Sequence, residues 1–273
     1  MISCSCGCFA LFGRRGLLAS ALAAAAFPAL AQTSASPAQT ADPGLIEDVV
    51  TANHILYDQG VVDGFGHVSA RHDKDPTRYL LSRSMAPALV AADDIMEFDL
   101  DSNPVDAHGR TPYLERFIHG EIYKVRPDVM AIVHSHSPAV LPFADTGVKL
   151  MPMNHIAGFL GSGPPVFEIR DVAGLGSDML VRNNGIGAAL AKTLGRDSIA
   201  LMRGHGSVAA AQSVKHVVFR AIYTEVNART EAEALKIGKP IFLNEQEAAA
   251  AMKTNDALVE RPWALWKQRV AAK

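Results

Sequence analysis

The sequence has few cysteines, and their position excludes a disulfide framework. The 273 residues contain only Cys4, Cys6 and Cys8, all within the first eight positions. The remaining chain therefore has no thiol for a crosslink or for metal binding.

An excess of charge of one sign is also missing. The chain has 26 Lys and Arg residues against 28 Asp and Glu residues, and the basic residues are scattered. Proteins that bind nucleic acid concentrate positive charge on one surface to neutralise phosphates. The composition therefore predicts no nucleic-acid partner.

A membrane-spanning run is missing too, although the N-terminal segment is apolar. Residues 1–31 contain the pair Arg14-Arg15, an alanine-rich run over residues 16–26 and a small-residue cleavage pattern that ends at Ala31. The run is shorter than the roughly 20 residues that span a bilayer, so a membrane anchor is the weaker alternative. The pattern is typical of a cleaved export signal, and the arginine pair favours the twin-arginine route. We expect a periplasmic protein without membrane attachment after cleavage.

The rest of the chain divides into a tether and one domain. Residues 32–43 are rich in Ser, Thr, Ala, Pro and Gln, which predicts a flexible linker. The chain is 49% hydrophobic and 20% charged, a composition that can bury one large core. We therefore expect a single catalytic domain over residues 44–273.

Helical and strand patterns alternate within that domain. Apolar residues recur at helical spacing in residues 45–59, 111–125, 186–194 and 213–237. Shorter apolar runs typical of strands occupy residues 64–98, 129–135 and 199–202. This mixture predicts an α/β layer architecture in which helices pack on a largely antiparallel sheet.

Three histidines have the spacing of metal ligands. His134 and His136 are two residues apart in a predicted strand, so their side chains point to one face. By itself this pair fits equally a loop histidine beside a buried one. His205 follows another strand and lies between Gly204 and Gly206, which allow close approach of the backbone; its alternative is a turn residue without ligand role. Three imidazoles leave positions open for substrate, as in catalytic metal sites.

Two further polar residues lie in the helix predicted to start at Thr111. Glu115 is early in that helix, where the helix dipole favours a carboxylate, although a surface glutamate would fit as well. His119 is one turn later on the same face, and an interior histidine with satisfied hydrogen bonds is the favoured interpretation.

Together these residues form a recognisable set of motifs. The set comprises GHVSAR at residues 66–71, ERFIH at 115–119, RPD at 126–128 followed by HSH at 134–136, and GHG at 204–206. In this order, and over roughly residues 45–240, the chain resembles the class II aldolase/adducin family.

The resemblance implies a fold and a metal site. The fold would be a three-layer α/β/α sandwich around a mostly antiparallel central sheet, commonly assembled as a homotetramer. His134, His136 and His205 would bind one divalent metal ion, and Glu115 would be an acid/base or an additional ligand. Zn²⁺ and Mn²⁺ both suit these ligands, and Fe²⁺ or Co²⁺ would also fit. Structural members of the family such as adducin lack the ligands, so their presence here favours an enzyme.

The chain departs from the family's sugar-phosphate aldolases at three places. His67 replaces an asparagine of the phosphate pocket, and Tyr113-Leu114 stand where small hydroxyl residues are usual. His155 is followed by Ile156 where aldolases commonly have a proton-donating tyrosine. A phosphate ester is therefore a poor substrate prediction.

A small-molecule carboxylate is the better prediction. Arg71, Arg83 and His67 are candidates to bind it, with Tyr113 beside them, because guanidinium pairs with carboxylate through two hydrogen bonds. Structural salt bridges are an equal alternative for both arginines. His155 is a candidate catalytic residue that, like His67, could supply a proton.

The departures resemble the decarboxylase branch of the family. That resemblance implies a lyase that decarboxylates a hydroxy-aromatic or hydroxy-heteroaromatic acid. The alternative is an aldolase that cleaves a hydroxy-carbonyl, sugar-like substrate by a retro-aldol reaction. Iron-dependent oxygenation is a third possibility.

Overall fold

The computed structural model describes residues 40–272. The predicted export signal and all but the last residues of the predicted linker lie outside this range. The first helix, α1 (Pro43–Asp58), begins where Asp42 accepts a hydrogen bond from the Gly44 amide at 2.6 Å. Such side-chain capping satisfies an amide that has no partner within the helix. The helix predicted for residues 45–59 is confirmed.

In the described part of the chain, seven strands form one sheet. They are β1 (His67–Arg71), β2 (Arg78–Ser82), β3 (Ile95–Asp99), β4 (Ala131–Ser135), β5 (Val166–Phe167), β6 (Ile199–Met202) and β7 (Gly206–Ala211). Their order is β3-β2-β1-β4-β7-β6-β5, and every neighbouring pair is antiparallel except β5 with β6. The predicted, mostly antiparallel sheet is confirmed.

Helices cover both faces of this sheet. The remaining α-helices are α2 (Phe117–Val125), α3 (Leu141–Asp145), α4 (Arg170–Ala173), α5 (Asn184–Leu194), α6 (Val214–Ile237), α7 (Glu245–Asp256) and α8 (Glu260–Ala271). Short 3₁₀ helices occupy Pro87–Leu89, Ala92–Asp94 and His155–Leu160. In residues 40–272 no helix is long and apolar enough to cross a membrane.

Two buried apolar clusters lie between the sheet and the helices, one on each face of the sheet. One packs α1, α6 and α8 against the sheet, and the other packs α2 and α5. Within β4, Val133 belongs to the first cluster and Ile132 to the second, as expected for side chains that alternate along a strand. The predicted α/β/α arrangement follows from this alternation.

The prediction of a helix from Thr111 was wrong in its first six residues, since α2 begins at Phe117. The carbonyl of Thr111 accepts a hydrogen bond from the Ser84 amide at 2.8 Å, which ties this segment to the loop after β2. Glu115 therefore lies just before α2 and not within its first turn.

Candidate metal centre and active-site cavity

Three segments bring four candidate ligand atoms together at one end of the sheet. His134 lies near the end of β4, His136 follows that strand, and His205 occupies the turn between β6 and β7. Because β7 pairs with β4, this turn lies beside the end of β4. Glu115 approaches from the segment before α2.

The spacing of these atoms fits one metal ion. The Nε2 atom of His136 is 3.1 Å from the Nε2 atoms of His134 and His205. The Oε2 atom of Glu115 is 3.5 Å from Nε2 of His134 and 3.3 Å from Nε2 of His205. Ligands about 2.0–2.1 Å from a tetrahedral zinc ion would be about 3.3–3.4 Å from one another. All four atoms lie within 4.8 Å of one another, so the cluster has the dimensions of a metal site.

Hydrogen bonds at the outer atoms of His134 and Glu115 leave one acceptor atom of each residue facing the cluster. Nδ1 of His134 is 3.1 Å from the carbonyl oxygen of Ser207, which can only accept. Nδ1 therefore carries the proton, and Nε2 presents a lone pair to the cluster. The other carboxylate oxygen of Glu115, Oε1, accepts a hydrogen bond from the Val181 amide at 2.9 Å. The Nε2 atom of His134 and the Oε2 atom of Glu115 thus face each other as two acceptors at 3.5 Å. A cation between them would stabilise this arrangement, so the donor set fits a divalent metal.

The electrostatics of the cluster favour the metal-binding forms of Glu115 and His136. Burial raises the pKa of Glu115, but the contacts with His134 and His205 outweigh it and hold this pKa well below its usual range. Burial, with His134 and His205 nearby, lowers the pKa of His136 to about 4. Near neutral pH, Glu115 is therefore ionised and His136 is neutral, as metal ligands must be.

A glycine allows the two ligand segments to approach. Gly206 has a φ of 154°, and a Cβ atom there would collide with the carbonyl oxygen of Ser135 and lie 2.9 Å from Cα of His136. The absence of a side chain lets the turn that carries His205 pack against the end of β4.

A cavity of about 410 Å³ opens beside Glu115 and His136. Its wall is largely apolar and contains neither lysine nor arginine. The lining residues are Gly64, Phe65, Gly66, His67, Ser84, Met85, Ala86, Tyr113, Leu114, Glu115, His136 and Leu180. The structure thus places His67 and Tyr113 in this wall, and their role in substrate binding stays a prediction.

His67 continues into a buried polar chain. It pairs with His134 across β1 and β4, which brings the two ring centroids to 5.1 Å. Its Nδ1 atom is 2.7 Å from Nε2 of His119, which is completely buried. Ser69 Oγ is 2.6 Å from Nδ1 of His119 and 2.8 Å from the hydroxyl of Tyr123. His119 is therefore the interior histidine that the sequence favoured, and burial lowers its pKa to about 3.

The contacts of Arg71 favour the structural role that the sequence left as an equal alternative to substrate binding. Its guanidinium is buried and donates hydrogen bonds to the carbonyl oxygens of Val129, Pro76, Tyr123 and Arg126 at 2.7–3.0 Å. Arg71 ends β1, whereas His67 begins it, so the two side chains lie at opposite ends of the strand. Arg71 joins β1 to the end of α2.

Two other predicted residues lie outside the cavity wall. Arg83 forms an ion pair with Asp94 at 2.6 Å, which fits the structural alternative, and its role in binding a substrate carboxylate stays a prediction. His155 is exposed at the start of a 3₁₀ helix, and its carbonyl accepts a hydrogen bond from Asn255 of α7. Its role in catalysis stays a prediction.

Sequence reasoning missed Ser69 and Tyr123 as parts of the polar chain. Ser69 is two residues after His67 in the same strand, and Tyr123 is four residues after His119 in α2. Both spacings place side chains on a shared face, and they were the signals that could have identified the chain.

Comparisons with known proteins agree with this geometry. The family model described as Class II Aldolase and Adducin N-terminal domain matches residues 47–232. Decarboxylase tropJ of Talaromyces stipitatus is 34% identical over 248 residues, which cover 82% of this chain and 93% of that protein. A 3,4-dihydroxyphthalate decarboxylase of Arthrobacter keyseri is 30% identical over 210 residues, covering 71% and 80%.

A solved structure shows the same fold. The L-fuculose 1-phosphate aldolase of Glaciozyma antarctica superposes with a TM-score of 0.69 at 21% identity, covering 86% of this chain and 93% of that one.

Proposed function

The chain belongs to the class II aldolase and adducin family, and from this premise we propose that it is a metal-dependent decarboxylase of hydroxy-aromatic or hydroxy-heteroaromatic carboxylic acids. Its relatives establish the broader class of a lyase of this family. Two of them are decarboxylases by name, and one of those names specifies a dihydroxylated aromatic dicarboxylate.

The cavity beside the metal-site residues is the observation that carries this proposal. Glu115 and His136 belong both to the ligand cluster and to the wall of the cavity. Apolar and aromatic side chains such as Phe65, Met85 and Leu114 make up much of the rest, and a planar ring suits such a wall. The absence of lysine and arginine from the lining argues against a doubly charged phosphate ester.

The residues of the cluster suggest a mechanism. A divalent ion held by His134, His136 and His205 would act as a Lewis acid toward the hydroxyl and carboxylate oxygens of the substrate. Glu115 is ionised, so its Oε2 atom can accept the proton of the substrate hydroxyl when the substrate binds. After the carbon–carbon bond breaks and CO₂ leaves, Glu115 returns this proton to the ring carbon. The product hydroxyl regains a proton from solvent, which balances the reaction.

A substrate panel tests the proposal. The zinc- and manganese-loaded proteins should release CO₂ from 3,4-dihydroxyphthalate or a related hydroxy acid. The matched control, phthalate, lacks the hydroxyl groups and should release none. Aldehyde release from hydroxy-carbonyl compounds without CO₂ release from any hydroxy acid would favour the retro-aldol alternative and contradict the proposal. Oxygen uptake during turnover would favour the oxygenase alternative.

The localisation and the oligomeric state expected from the sequence are part of the same proposal. We propose export to the periplasm by the twin-arginine route and assembly as a homotetramer. Cell fractionation and light scattering of the purified protein test these two points separately.

A further inference from the structure

Four buried polar side chains form a line from the interior of the protein to the cavity. The line runs from Tyr123 through Ser69 and His119 to His67, with donor–acceptor distances of 2.8, 2.6 and 2.7 Å. Of these residues, only His67 lines the cavity. Because its Nδ1 atom is paired with His119, its Nε2 atom is left for the cavity.

The end of the line at Tyr123 sets the direction of its hydrogen bonds. Among residues 40–272, Ser69 Oγ is the hydrogen-bond partner of the Tyr123 hydroxyl, and Tyr123 is 1% exposed. If the phenol accepted from Ser69, its own proton would be buried without an acceptor. An unsatisfied buried donor costs about 1–3 kcal/mol. The phenol therefore donates to Ser69.

This direction determines the tautomer of both histidines. Once Ser69 Oγ accepts from Tyr123, its own proton goes to Nδ1 of His119. Neutral His119 then carries its proton on Nε2 and donates it to Nδ1 of His67. In turn, neutral His67 must carry its proton on Nε2, the nitrogen left for the cavity.

We propose that Tyr123, Ser69 and His119 are positioning residues that fix His67 as a neutral hydrogen-bond donor, and that its Nε2–H binds an anionic carboxylate oxygen of the substrate. This inference rests on the proposed function and deepens it, since it assigns the part of the site that selects a carboxylate. A single neutral donor provides one hydrogen bond and no positive charge. It therefore suits a carboxylate better than a phosphate dianion, which binds to charged or multiple donors.

Neutron diffraction from crystals of the zinc-loaded protein tests the proton positions directly. We expect deuterium on Nε2 of both His67 and His119, and a Tyr123 hydroxyl that points to Ser69. Deuterium on Nδ1 of His67 would overturn the inference. The measurement requires no turnover, so its outcome is distinct from a failure of decarboxylation.

Binding of 2-hydroxybenzoate to the zinc-loaded protein tests the role of the donor. His67→Leu should weaken binding by about 10- to 100-fold, the equivalent of a lost hydrogen bond to a charged group. His67→Gln should restore most of the affinity, because its amide places an N–H close to the position of Nε2. A wild-type protein that does not bind the probe, or equal losses in both variants, would overturn the inference.

His119→Phe separates positioning from a merely structural role. Phenylalanine keeps a buried ring of similar size, while Ser69 and Tyr123 keep their mutual hydrogen bond. We expect His119→Phe to weaken the binding of 2-hydroxybenzoate about tenfold when His67 is present. In a protein that already carries His67→Gln, we expect no further loss, because the amide donor of glutamine does not depend on His119. Tyr79→Phe is the matched control, since its ring is stacked on His119 but its hydroxyl bonds Ser102 and the Arg116 carbonyl. Equal losses in both backgrounds would show a structural effect and overturn the inference.

Discussion

Glu115 is held at both carboxylate oxygens. Oε1 accepts the Val181 amide, and Oε2 faces His134 and His205. This arrangement leaves one oxygen for the metal cluster and the cavity while the other fixes the orientation of the group. The low pKa of Glu115 means that this carboxylate is ionised at neutral pH.

Replacing Glu115 by glutamine should separate proton transfer from metal binding. Glu115→Gln keeps the size and the acceptor for Val181, but it cannot take up a proton. We expect turnover to fall by about 10²- to 10⁴-fold while three histidines retain the metal. Steady-state CO₂ release and elemental analysis measure the two effects, and Glu121→Gln, in α2 beside Lys124, is the control. Unchanged turnover would remove the assigned role.

Arg71 is a structural residue by its contacts. Arg71→Lys keeps the charge but cannot reproduce a planar group that donates to four carbonyls. We expect a loss of roughly 2–4 kcal/mol in the free energy of unfolding, since several buried carbonyls lose their partner. Urea unfolding measures this loss. A raised KM with unchanged stability would restore the substrate role that the sequence suggested.

At the residue scale, the sequence identified the four side chains that cluster together better than it identified the surroundings of the two arginines. The strand period places His134 and His136 on one face, and that relation is local. Whether Arg71 or Arg83 meets a substrate depends on which carbonyls or carboxylates lie nearby in the fold, such as Asp94 beside Arg83. Those neighbours come from distant segments of the chain, so a single sequence does not indicate which of them will contact an arginine.

At the scale of elements, the turn between β6 and β7 depends on close packing. Gly206→Ala would force the Ser135 carbonyl and His136 away from the turn. Because His136 and His205 are neighbouring members of the cluster proposed to bind the metal, we expect weaker metal binding together with lower stability. Competition with a chromogenic chelator measures the affinity. Gly176→Ala, whose Cβ would meet nothing within 4 Å, is the control; equal metal affinity in both variants would contradict this explanation.

Helix α6 contains a carboxyl group whose titration should affect stability. Glu231 is fully buried, its Oε2 accepts the Met151 amide, and burial raises its pKa to about 7. The unfolded chain loses this proton near pH 4.5, so the folded state is favoured at low pH and loses this advantage as pH rises toward 7. Glu231→Gln cannot ionise and keeps an acceptor for Met151.

The variant Glu231→Gln should therefore gain stability relative to the wild type as pH rises from 5 to 8. We expect a difference of roughly 1–3 kcal/mol at pH 8, measured by urea unfolding at each pH. Glu233→Gln, on the exposed side of α6, is the control. A difference independent of pH would show that Glu231 does not titrate in this range.

The elements were predicted well where their periodicity was strong. The helices at α1, α5 and α6 have regular apolar spacing, and the structure confirms them within a few residues. Residues 111–116 carry a good helix-start signal, yet the Thr111 carbonyl bonds the distant Ser84 amide instead. Local propensity was overridden there by a tertiary hydrogen bond.

At the scale of the whole molecule, the order of strands creates the site. β4 lies between β1 and β7, which brings His67 and the turn with His205 to opposite sides of His134. The sequence predicted a largely antiparallel sheet, but pattern alone did not determine this order. The motif resemblance supplied what periodicity could not, namely which distant residues meet.

Metal dependence of CO₂ release by the purified protein tests the central claim most directly. Metal is removed with a chelator and then restored in steps, with 3,4-dihydroxyphthalate and related hydroxy acids as substrates. We predict that activity disappears on removal, rises in proportion to added zinc or manganese, and stops rising at one ion per chain. Full activity of a chain from which the metal has been removed would contradict the claim that His134, His136 and His205 bind a catalytic metal ion.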